Sequence, residues 1–421
     1  MLRFSAERAR RTAYAVLIAC AYFGFPIAAL APVLLGMPSR SISVVYRLLV
    51  AAGSLLYAWW VSRTRRVALA APVQWALGLL AIMLLARLAW DSYGARLPLD
   101  LPWEDLWAQA LVFVLVPALP FLLVPDREAL VLARSVCRWA ALVAVFASGV
   151  GALYSVRQYT LSSRLATDVL NPITVGEIGV SLFIVTLAYP STVRAGMTRW
   201  WRRSARVAVG SLGIAVCLLS ASKGPLLSLG AVMLAMFVYR FARLSPRRRL
   251  QESCAALAIV GLLAAVTVAL NEHGVLTIYG RISDIASDQS TALRLQAWDG
   301  ALAQFNASPL WGSAAVELST RFYPHNALLE VMMATGVGGL LLLLLLQAWG
   351  AIAAHCVLIN APQYSWVALL FLQHAIGALL SGSIYLGGAS WISLLMLLGV
   401  YQSLVSTDAV SVPRLGAGLR T

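Results

Sequence analysis

The sequence predicts an all-α protein that crosses a membrane many times, and two observations lead to this prediction. Of its 421 residues, 61% are hydrophobic and only 12% are charged, whereas ordinary soluble domains have about 25% charged residues. The apolar residues also form unbroken runs of the roughly 20 residues that a helix needs to cross about 30 Å of hydrocarbon. Continuous runs exclude a β-barrel, whose strands alternate in polarity. The composition likewise excludes a soluble enzyme, a disulfide-rich secreted module and a disordered protein.

The apolar runs predict about twelve transmembrane helices in a single integral membrane domain over residues 1–421. The two runs within 206–240 are short for a span. The predicted spans lie near 13–35, 42–61, 67–90, 105–124, 129–154, 173–190, 206–221, 224–240, 254–271, 326–358, 365–385 and 387–405.

The placement of arginine predicts that both termini are cytoplasmic, because positive charge concentrates in cytoplasmic loops. Arginines cluster in segments that would then be inside, such as 199–206 and 240–249, while the segments that would be outside hold isolated ones. Such clusters are explained by topology and by contact with anionic headgroups. The net charge of +15 therefore implies no nucleic-acid partner. The first apolar run is too long for a signal peptide and is expected to remain as a span.

Two segments on the predicted outer side are rich in polar residues, 155–173 and the much longer 271–325. Loops of more than about 12–15 residues without structure are uncommon unless they are functional. Part of the second loop is predicted to be an amphipathic helix capped by Ser290 and Thr291 and broken by Pro309. The residues at helical spacing are Leu293, Leu295, Trp298, Ala301 and Phe305, and the same helix would carry Arg294 and Asp299.

His325 closes the second loop and directly precedes Asn326, the predicted N-cap of the next span. A helix N-terminus favours the neutral imidazole, which is the form that a general base requires. The alternative is a surface histidine in contact with headgroups. Of the other histidines, His273 lies in an outer turn, His355 near an inner helix end, and His374 mid-span, where a neutral imidazole bonded to a neighbouring helix is favoured over a proton relay.

Several cations lie toward the predicted outer side, although most positive charge is on the predicted cytoplasmic side. Arg164 and Arg294 fall in the two outer loops, Lys223 in another outer turn, and Arg47 and Arg87 near the outer ends of their spans. The planar guanidinium suits phosphate and diphosphate groups. Taken together, these cations suggest a site for an anionic lipid headgroup, although each one alone is explained by snorkelling or by a surface ion pair.

The sequence shows no pattern typical of a metal or nucleotide site. No outer loop carries an Asp-x-Asp or Glu-x-Asp pair, Asp284 and Asp288 lie one helical turn apart, and Glu104 and Asp105 are expected in the first turn of a helix after Pro102. There is no zinc-ligand spacing, no Walker loop and no Gly-x-Ser-x-Gly elbow. We therefore expect chemistry without a metal or a cofactor.

Three stretches together resemble the O-antigen ligase and O-antigen polymerase superfamily over about residues 155–345. Lys223 departs from the pattern because many relatives have arginine there, and Val337 departs because leucine is usual. The matching stretches are His325-Asn326-Ala327-Leu328-Leu329-Glu330 followed by Gly336, Gly338 and Gly339; Arg294, Trp298, Phe305 and Pro309-Leu310-Trp311-Gly312; and Arg164 with Asn171-Pro172.

The resemblance implies a helical bundle of the GT-C type with a lateral cleft, in the bacterial inner membrane, with its active site at the periplasmic face. The implied donor is a glycan on undecaprenyl diphosphate, and the implied acceptor of a ligase is a sugar hydroxyl of lipid A–core oligosaccharide. Transfer would be metal-independent and inverting. His325 would be the base, and Arg164 and Arg294, with Lys223, would bind the diphosphate. Asn326, Glu330, Arg47 and Arg87 would support the site.

Several other functions remain open. An O-antigen polymerase would use the same donor with a lipid-linked glycan as acceptor, so chemistry alone does not separate it from a ligase. A protein O-oligosaccharyltransferase of the same superfamily is often longer, with a large C-terminal portion. A lipid or sugar transporter would place ionisable groups at the midplane, whereas here they gather at one face. The sequence does not reveal the glycan, the acceptor sugar or the oligomeric state.

Overall fold

A computed structural model describes residues 2–63, 67–97, 102–155, 165–167, 169–188, 198–251, 261 and 289–406. Within these ranges the fold is helical, and two isolated bridges are the only β-type pairings. The helices that begin or form the main segments are α1 Leu2–Ala19, α2 Ser39–Ser62, α3 Ala71–Ala89, the short α4 Trp103–Ala108, α5 Arg127–Ser155, α6 Pro172–Leu187, α7 Thr198–Leu219, α8 Lys223–Phe241, α9 Gln289–Ala307, α10 Ala327–Asn360, α11 Ser365–Leu380 and α12 Gly388–Val405.

Two of these helices continue through irregular turns. After α1, a wide turn over Cys20–Gly24 and the short helices Phe25–Ala28 and Leu30–Leu35 extend one span to residue 35. After α4, the segment Gln109–Leu115 and two shorter turns extend a second span to Leu122. Prolines near the starts of Phe25–Ala28 and of Val116–Ala118 interrupt the regular hydrogen bonding there, because proline lacks a backbone N–H.

Among the described residues, nine helices are long and apolar enough to span a membrane. The all-α prediction is therefore confirmed, whereas the count of about twelve is not. The predicted span 173–190 is the 16-residue α6, which is shorter than the roughly 20 residues of a typical span. The predicted span 206–221 belongs to α7, which begins eight residues earlier with several arginines. The predicted span 254–271 lies outside the described residues.

The predicted helix in the second outer loop is confirmed as α9, but two details of that prediction were wrong. Ser290 and Thr291 lie inside α9 rather than in front of it, so neither is its N-cap. Leu293 and Leu295 are about half exposed, whereas the predicted Ala301 is buried together with Ala297, which was not predicted. Periodicity alone did not reveal that these alanines allow α9 to pack closely against α10.

α10 contains a break that the sequence analysis did not foresee. Gly336 has φ +68° and ψ −159°, which are far from helical values and are accessible to glycine without strain. The predicted span 326–358 is therefore two pieces, a half-helix over residues 327–335 and a longer helix after the break. The half-helix begins immediately after His325 and Asn326, so its position determines where these two residues lie.

The core forms around α11 and α12, the most buried of the nine candidate spans, with α10 packed against both. Gln373 links α11 to α6, because its amide donates to the Glu177 carbonyl and accepts from the Ser181 hydroxyl. At one end of this core, the start of α8, the start of α10, α9 and the turn after α11 come together. The candidate site lies there.

Candidate functional site

His325 lies at the end of an ordered loop that runs from Ser308 to Asn326 along α9. The indole N–H of Trp298 on α9 donates to the carbonyl of Pro324 at 2.8 Å and fixes the residue just before the histidine. Gln304, also on α9, donates to the Val316 carbonyl and accepts from the Leu318 backbone N–H. Side chains of α9 thus hold the loop in place, which explains how this long segment presents one histidine reproducibly.

Glu317 holds the tip of this loop in a tight turn. Its carboxylate accepts hydrogen bonds from the backbone and hydroxyl groups of Ser319 and Thr320 at 2.6–2.9 Å. Its backbone N–H donates to the Phe322 carbonyl at 2.8 Å. Burial alone raises the pKa of the Glu317 carboxyl, but these bonds to the charged form outweigh burial and lower the pKa below its usual value. Glu317 thus stabilises the turn in its ionised form.

The His325 ring is half-buried among aromatic side chains. Its centroid lies 4.4 Å from that of Tyr323, edge to face, and 5.7 Å from that of Phe322. Burial lowers the pKa of the imidazole below its usual value, the charge of Arg294 lowers it further, and a hydrogen bond to the Ser381 backbone opposes the shift. Nδ1 of His325 has no hydrogen-bond partner within the described part of the chain. The lowered pKa favours the neutral imidazole, which is the form that a general base requires.

His325 also has an unusual backbone, with φ +57°. Few residues other than glycine adopt this left-handed region, and such strain persists only where the surroundings enforce it. Here Trp298 fixes Pro324 on one side, and the Asn326 cap fixes the helix start on the other, accepting from the N–H groups of Leu328 at 3.0 Å and Leu329 at 3.2 Å. The predicted N-cap is thus confirmed.

Two of the predicted cations lie near the C-terminal end of α11, where the backbone of Ser381 hydrogen-bonds to His325. Arg294 Nη1 donates to the Leu380 carbonyl at 3.2 Å, one residue before Ser381. Lys223 Nζ lies 3.4 Å from the hydroxyl of Thr291, which is one helical turn from Arg294 on α9. Gly224, next to Lys223, packs against Leu380 and Ser381. The ends of three helices and the α9 surface therefore bring a base and two cations together.

Glu330 fixes the turn that follows Ser381. It is buried in the first turn of α10, where its carboxylate accepts from the hydroxyl of Ser383 at 2.8 Å and from the backbone N–H of Ile384 at 2.6 Å. Ser383 in turn accepts from the Tyr385 backbone N–H. Glu330 therefore holds the turn after α11 against the half-helix.

The remaining predicted cations lie elsewhere. The Arg47 guanidinium stacks over the rings of Phe113, at 3.6 Å from the centroid, and Phe25, at 4.9 Å. Arg87 bonds to backbone carbonyls of the loop before α10. Arg164 lies outside the described residues, as does most of the predicted loop 155–173.

The sequence analysis overlooked three residues that shape this site. Asp91 is fully buried and pairs with Arg87 four residues earlier, a signal visible as two opposite charges within one apolar span. Tyr323 contacts His325, and burial raises the pKa of its phenol to about 12. Ser383 stands in a short polar stretch between two apolar runs, and nothing in the sequence links it to Glu330.

An apolar cavity of about 250 Å³ lies between α3, the 110–122 segment and α12. Ile384 and Tyr385 line it, so its boundary includes the same turn that Glu330 holds. The Tyr385 hydroxyl closes this corner by donating to the Leu84 carbonyl at 3.3 Å. The polar site therefore lies next to an apolar space within the span region.

Comparison with models of protein families gives a match over part of the chain. Residues 208–344 match the family model Wzy_C, described as O-antigen ligase. The matched range includes Lys223, Arg294, His325 and Glu330, and it covers the loop and half-helix described above. The search of curated proteins found no match. The family resemblance predicted from the sequence is thereby confirmed over residues 208–344, and the stretch with Arg164 and Asn171-Pro172 lies outside the match.

Proposed function

We propose that this chain, which residues 208–344 assign to the O-antigen ligase family, transfers O-antigen polysaccharide from undecaprenyl diphosphate to a sugar hydroxyl of lipid A–core oligosaccharide. The reaction would take place at the periplasmic face of the inner membrane. The observation that carries this proposal is the convergence of neutral His325, Arg294 and Lys223 at the Leu380–Ser381 end of α11, inside the matched range.

The chemistry follows from the roles of these groups. The His325 imidazole accepts the proton of the acceptor sugar hydroxyl as its oxygen attacks the anomeric carbon of the donor. The new glycosidic bond forms while the bond from that carbon to the diphosphate oxygen breaks, and the electron pair leaves with the diphosphate. Attack from the face opposite to the leaving group inverts the anomeric carbon. The proton then passes from His325 to water.

Arg294 and Lys223 stabilise the charge that develops on the leaving diphosphate. Such stabilisation by fixed positive groups in a site with little water is commonly the largest contribution to catalysis. Arg164 is proposed to take part as a third cation. Because both substrates are lipids, the membrane already restricts them to two dimensions, and the apolar cavity beside Tyr385 supports a site that takes lipid-borne substrates.

The test reconstitutes the purified protein in liposomes with lipid-linked glycan and lipid A–core and resolves the products by size. Glycan on lipid A–core supports the ligase. Longer lipid-linked glycan with bare core instead identifies a polymerase, which uses the same donor site. Glycan on protein would identify a protein oligosaccharyltransferase, and lipid movement without transfer would identify a transporter and overturn the proposal.

The role of His325 is tested by His325→Ala, with His355→Ala as the matched control. His355 hydrogen-bonds to Tyr239 at 2.8 Å, in the opposite half of α10. Loss of a general base typically lowers the rate by about 10²–10⁴-fold, so we expect that loss for H325A and near wild-type turnover for H355A. Both proteins should insert and keep their melting temperature within a few degrees. Wild-type turnover of H325A would remove His325 as the base.

A further inference from the structure

Arg87, which the sequence placed among the headgroup-binding cations, is fully occupied by other groups. A guanidinium has five N–H donors, and Arg87 makes five hydrogen bonds. Nε donates to the Ala334 carbonyl at 3.0 Å, and Nη1 donates to the Ser313 carbonyl at 3.0 Å. Nη2 donates to the carbonyls of Trp311 and Gly312, both at 3.1 Å. The fifth bond, from Nη1 at 3.3 Å, goes to Asp91.

Asp91 completes the arrangement from the wide turn Trp90–Gly94, which continues α3 in the same span. It lies four residues after Arg87, is 0% exposed, and its second carboxylate oxygen accepts from the Ala315 backbone N–H at 2.6 Å. The carboxylate neutralises the guanidinium, and all the bonds to the loop are to backbone groups. An ion pair with its polar atoms satisfied in this way is specific in geometry, whereas removing one partner leaves a buried charge. We call Arg87 and Asp91 the α3 clamp.

The α3 clamp acts where α10 is broken. The break at Gly336 frees backbone groups that a continuous helix would pair internally, and neighbouring groups must satisfy them. Ser313 N–H donates to the Met333 carbonyl and Val337 N–H to the Pro309 carbonyl, both at 2.8 Å. At Gly312, where φ is +72°, a Cβ atom would overlap the backbone of Ala334. Loop and half-helix therefore meet backbone to backbone, with Arg87 bonded to both.

The half-helix connects the residue bonded to Arg87 with His325, so the position of one end determines the position of the other. Its nine residues span about 13 Å at a rise of 1.5 Å per residue. One end, at Ala334, is bonded to Arg87, and the other begins directly after His325. Glu330 on the same half-helix also holds the turn that carries Ser381. A displacement of the Ala334 end therefore displaces the base.

We propose that Arg87 and Asp91 are positioning residues for transfer, which fix the half-helix 327–335 and thereby aim His325 at the acceptor hydroxyl. This inference rests on the proposed function of His325. It also gives Arg87 a role different from binding a diphosphate, because a ligand would have to break one of its five bonds.

The main test is Arg87→Lys. Lysine keeps the charge but has three donors around a point charge, so it cannot bond to four carbonyls and Asp91 at once. A misplacement of about 1 Å can cost on the order of 100-fold in rate. We expect kcat for lipid-to-lipid transfer to fall by about 10- to 100-fold in R87K, with the KM values for the lipid-linked glycan and for lipid A–core changing less than about twofold.

A second measurement distinguishes a role of Arg87 in positioning His325 from a role in the overall stability of the fold. Within the described part of the chain, the charge of Arg294 acts on His325 and the ring of Tyr323 contacts it. Lys223 and Glu330 bond to Thr291 and to the turn after α11 in the same region, and R87K changes none of these four residues. If the half-helix loosens, water reaches the imidazole and its pKa rises toward the ordinary value. In a plot of log kcat against pH, the fall at the acidic end (the acidic limb) should then shift to higher pH in R87K.

Arg134→Lys is the matched control. Arg134 on α5 also donates to backbone carbonyls, those of Val185 at 3.1 Å and of Ala188, at the far end of α6. We expect R134K to lower the melting temperature without changing kcat or the pH profile. Asp91→Asn is the milder second variant should R87K fail to fold. It should retain an acceptor for Ala315 and lose the ion pair, with a smaller fall in kcat.

Three outcomes would overturn the inference. A raised KM for the lipid-linked glycan with unchanged kcat in R87K would make Arg87 a binding residue. Effects on melting temperature alone, in R87K and D91N as in R134K, would make the α3 clamp purely structural. An unshifted acidic limb with a lowered kcat would show that the half-helix does not alter the surroundings of His325. Failure of the proposed function is distinct, because H325A would then match the wild type.

Discussion

At the residue scale, burial and then the charge of Arg294 extend the pH range in which His325 can accept a proton. Burial and Arg294 lower the pKa of the imidazole below its usual value, which is about 6.5 in model peptides. Histidine is neutral above its pKa, so the rate should stay high down to a pH below that usual value. Arg294→Gln removes a positive charge, raises the pKa of His325, and should shift the acidic limb of log kcat to higher pH, as measured in liposomes at saturating donor.

Arg40→Gln provides the comparison for this shift. Arg40 is an exposed cation that pairs with Asp105 at 2.7 Å and does not contribute to the pKa shift of His325. We expect its pH profile to match that of the wild type. An acidic limb that stays in place in R294Q would mean that Arg294 does not act on the charge of His325. The loss of maximal rate in R294Q is a separate quantity, since Arg294 is also proposed to bind the diphosphate.

At the scale of the element, the half-helix depends on its N-cap. Asn326 accepts from two first-turn N–H groups, and loss of such a cap typically costs about 0.5–2 kcal/mol. We expect Asn326→Ala to lower the melting temperature, and Asn326→Asp, which keeps the acceptor oxygen, to restore most of it. Asn171→Ala is the comparison, because it removes the same kind of cap from α6, where Asn171 accepts from the Thr174 N–H. Its fall in melting temperature gives the size of the fall expected for N326A. Equal melting temperatures for N326A and the wild type would contradict the cap.

The sequence predicted individual helices and caps better than their interruptions and contacts. Asn326 was predictable because an N-cap depends on one side chain and the next three residues. The break at Gly336 was not, because the glycines 336, 338 and 339 are equally compatible with a continuous apolar helix. Only the loop packed against Ala334 distinguishes them. Arg294 and Lys223 could be identified as candidate cations from the sequence alone. The hydrogen bonds from Arg87 to backbone carbonyls could not be foreseen, because those carbonyls belong to residues more than 220 positions away.

At the scale of the whole molecule, contacts bring both ends of the described chain to the side opposite His325. Arg10 near the start of α1 pairs with Asp126 before α5. Gln402 near the end of α12 bonds to the backbone of Ala68 and Ala70 before α3, and the far end of α3 carries Arg87. This common side agrees with the prediction, made from the placement of arginine, that both termini are cytoplasmic. If they are, the loop that carries His325 is expected to face the periplasm.

Labelling of single cysteines tests this orientation in cells. Leu318 at the tip of the loop before His325 is 44% exposed, and Arg247 lies at the exposed start of the segment after α8. A membrane-impermeant thiol reagent should label Leu318→Cys in intact spheroplasts and Arg247→Cys only after permeabilisation. The unmodified protein, whose described cysteines are buried or half-buried, gives the background. The reverse pattern would put His325 on the cytoplasmic side, where a lipid-linked glycan already exported to the periplasm could not reach it, and the proposed reaction would fail with it.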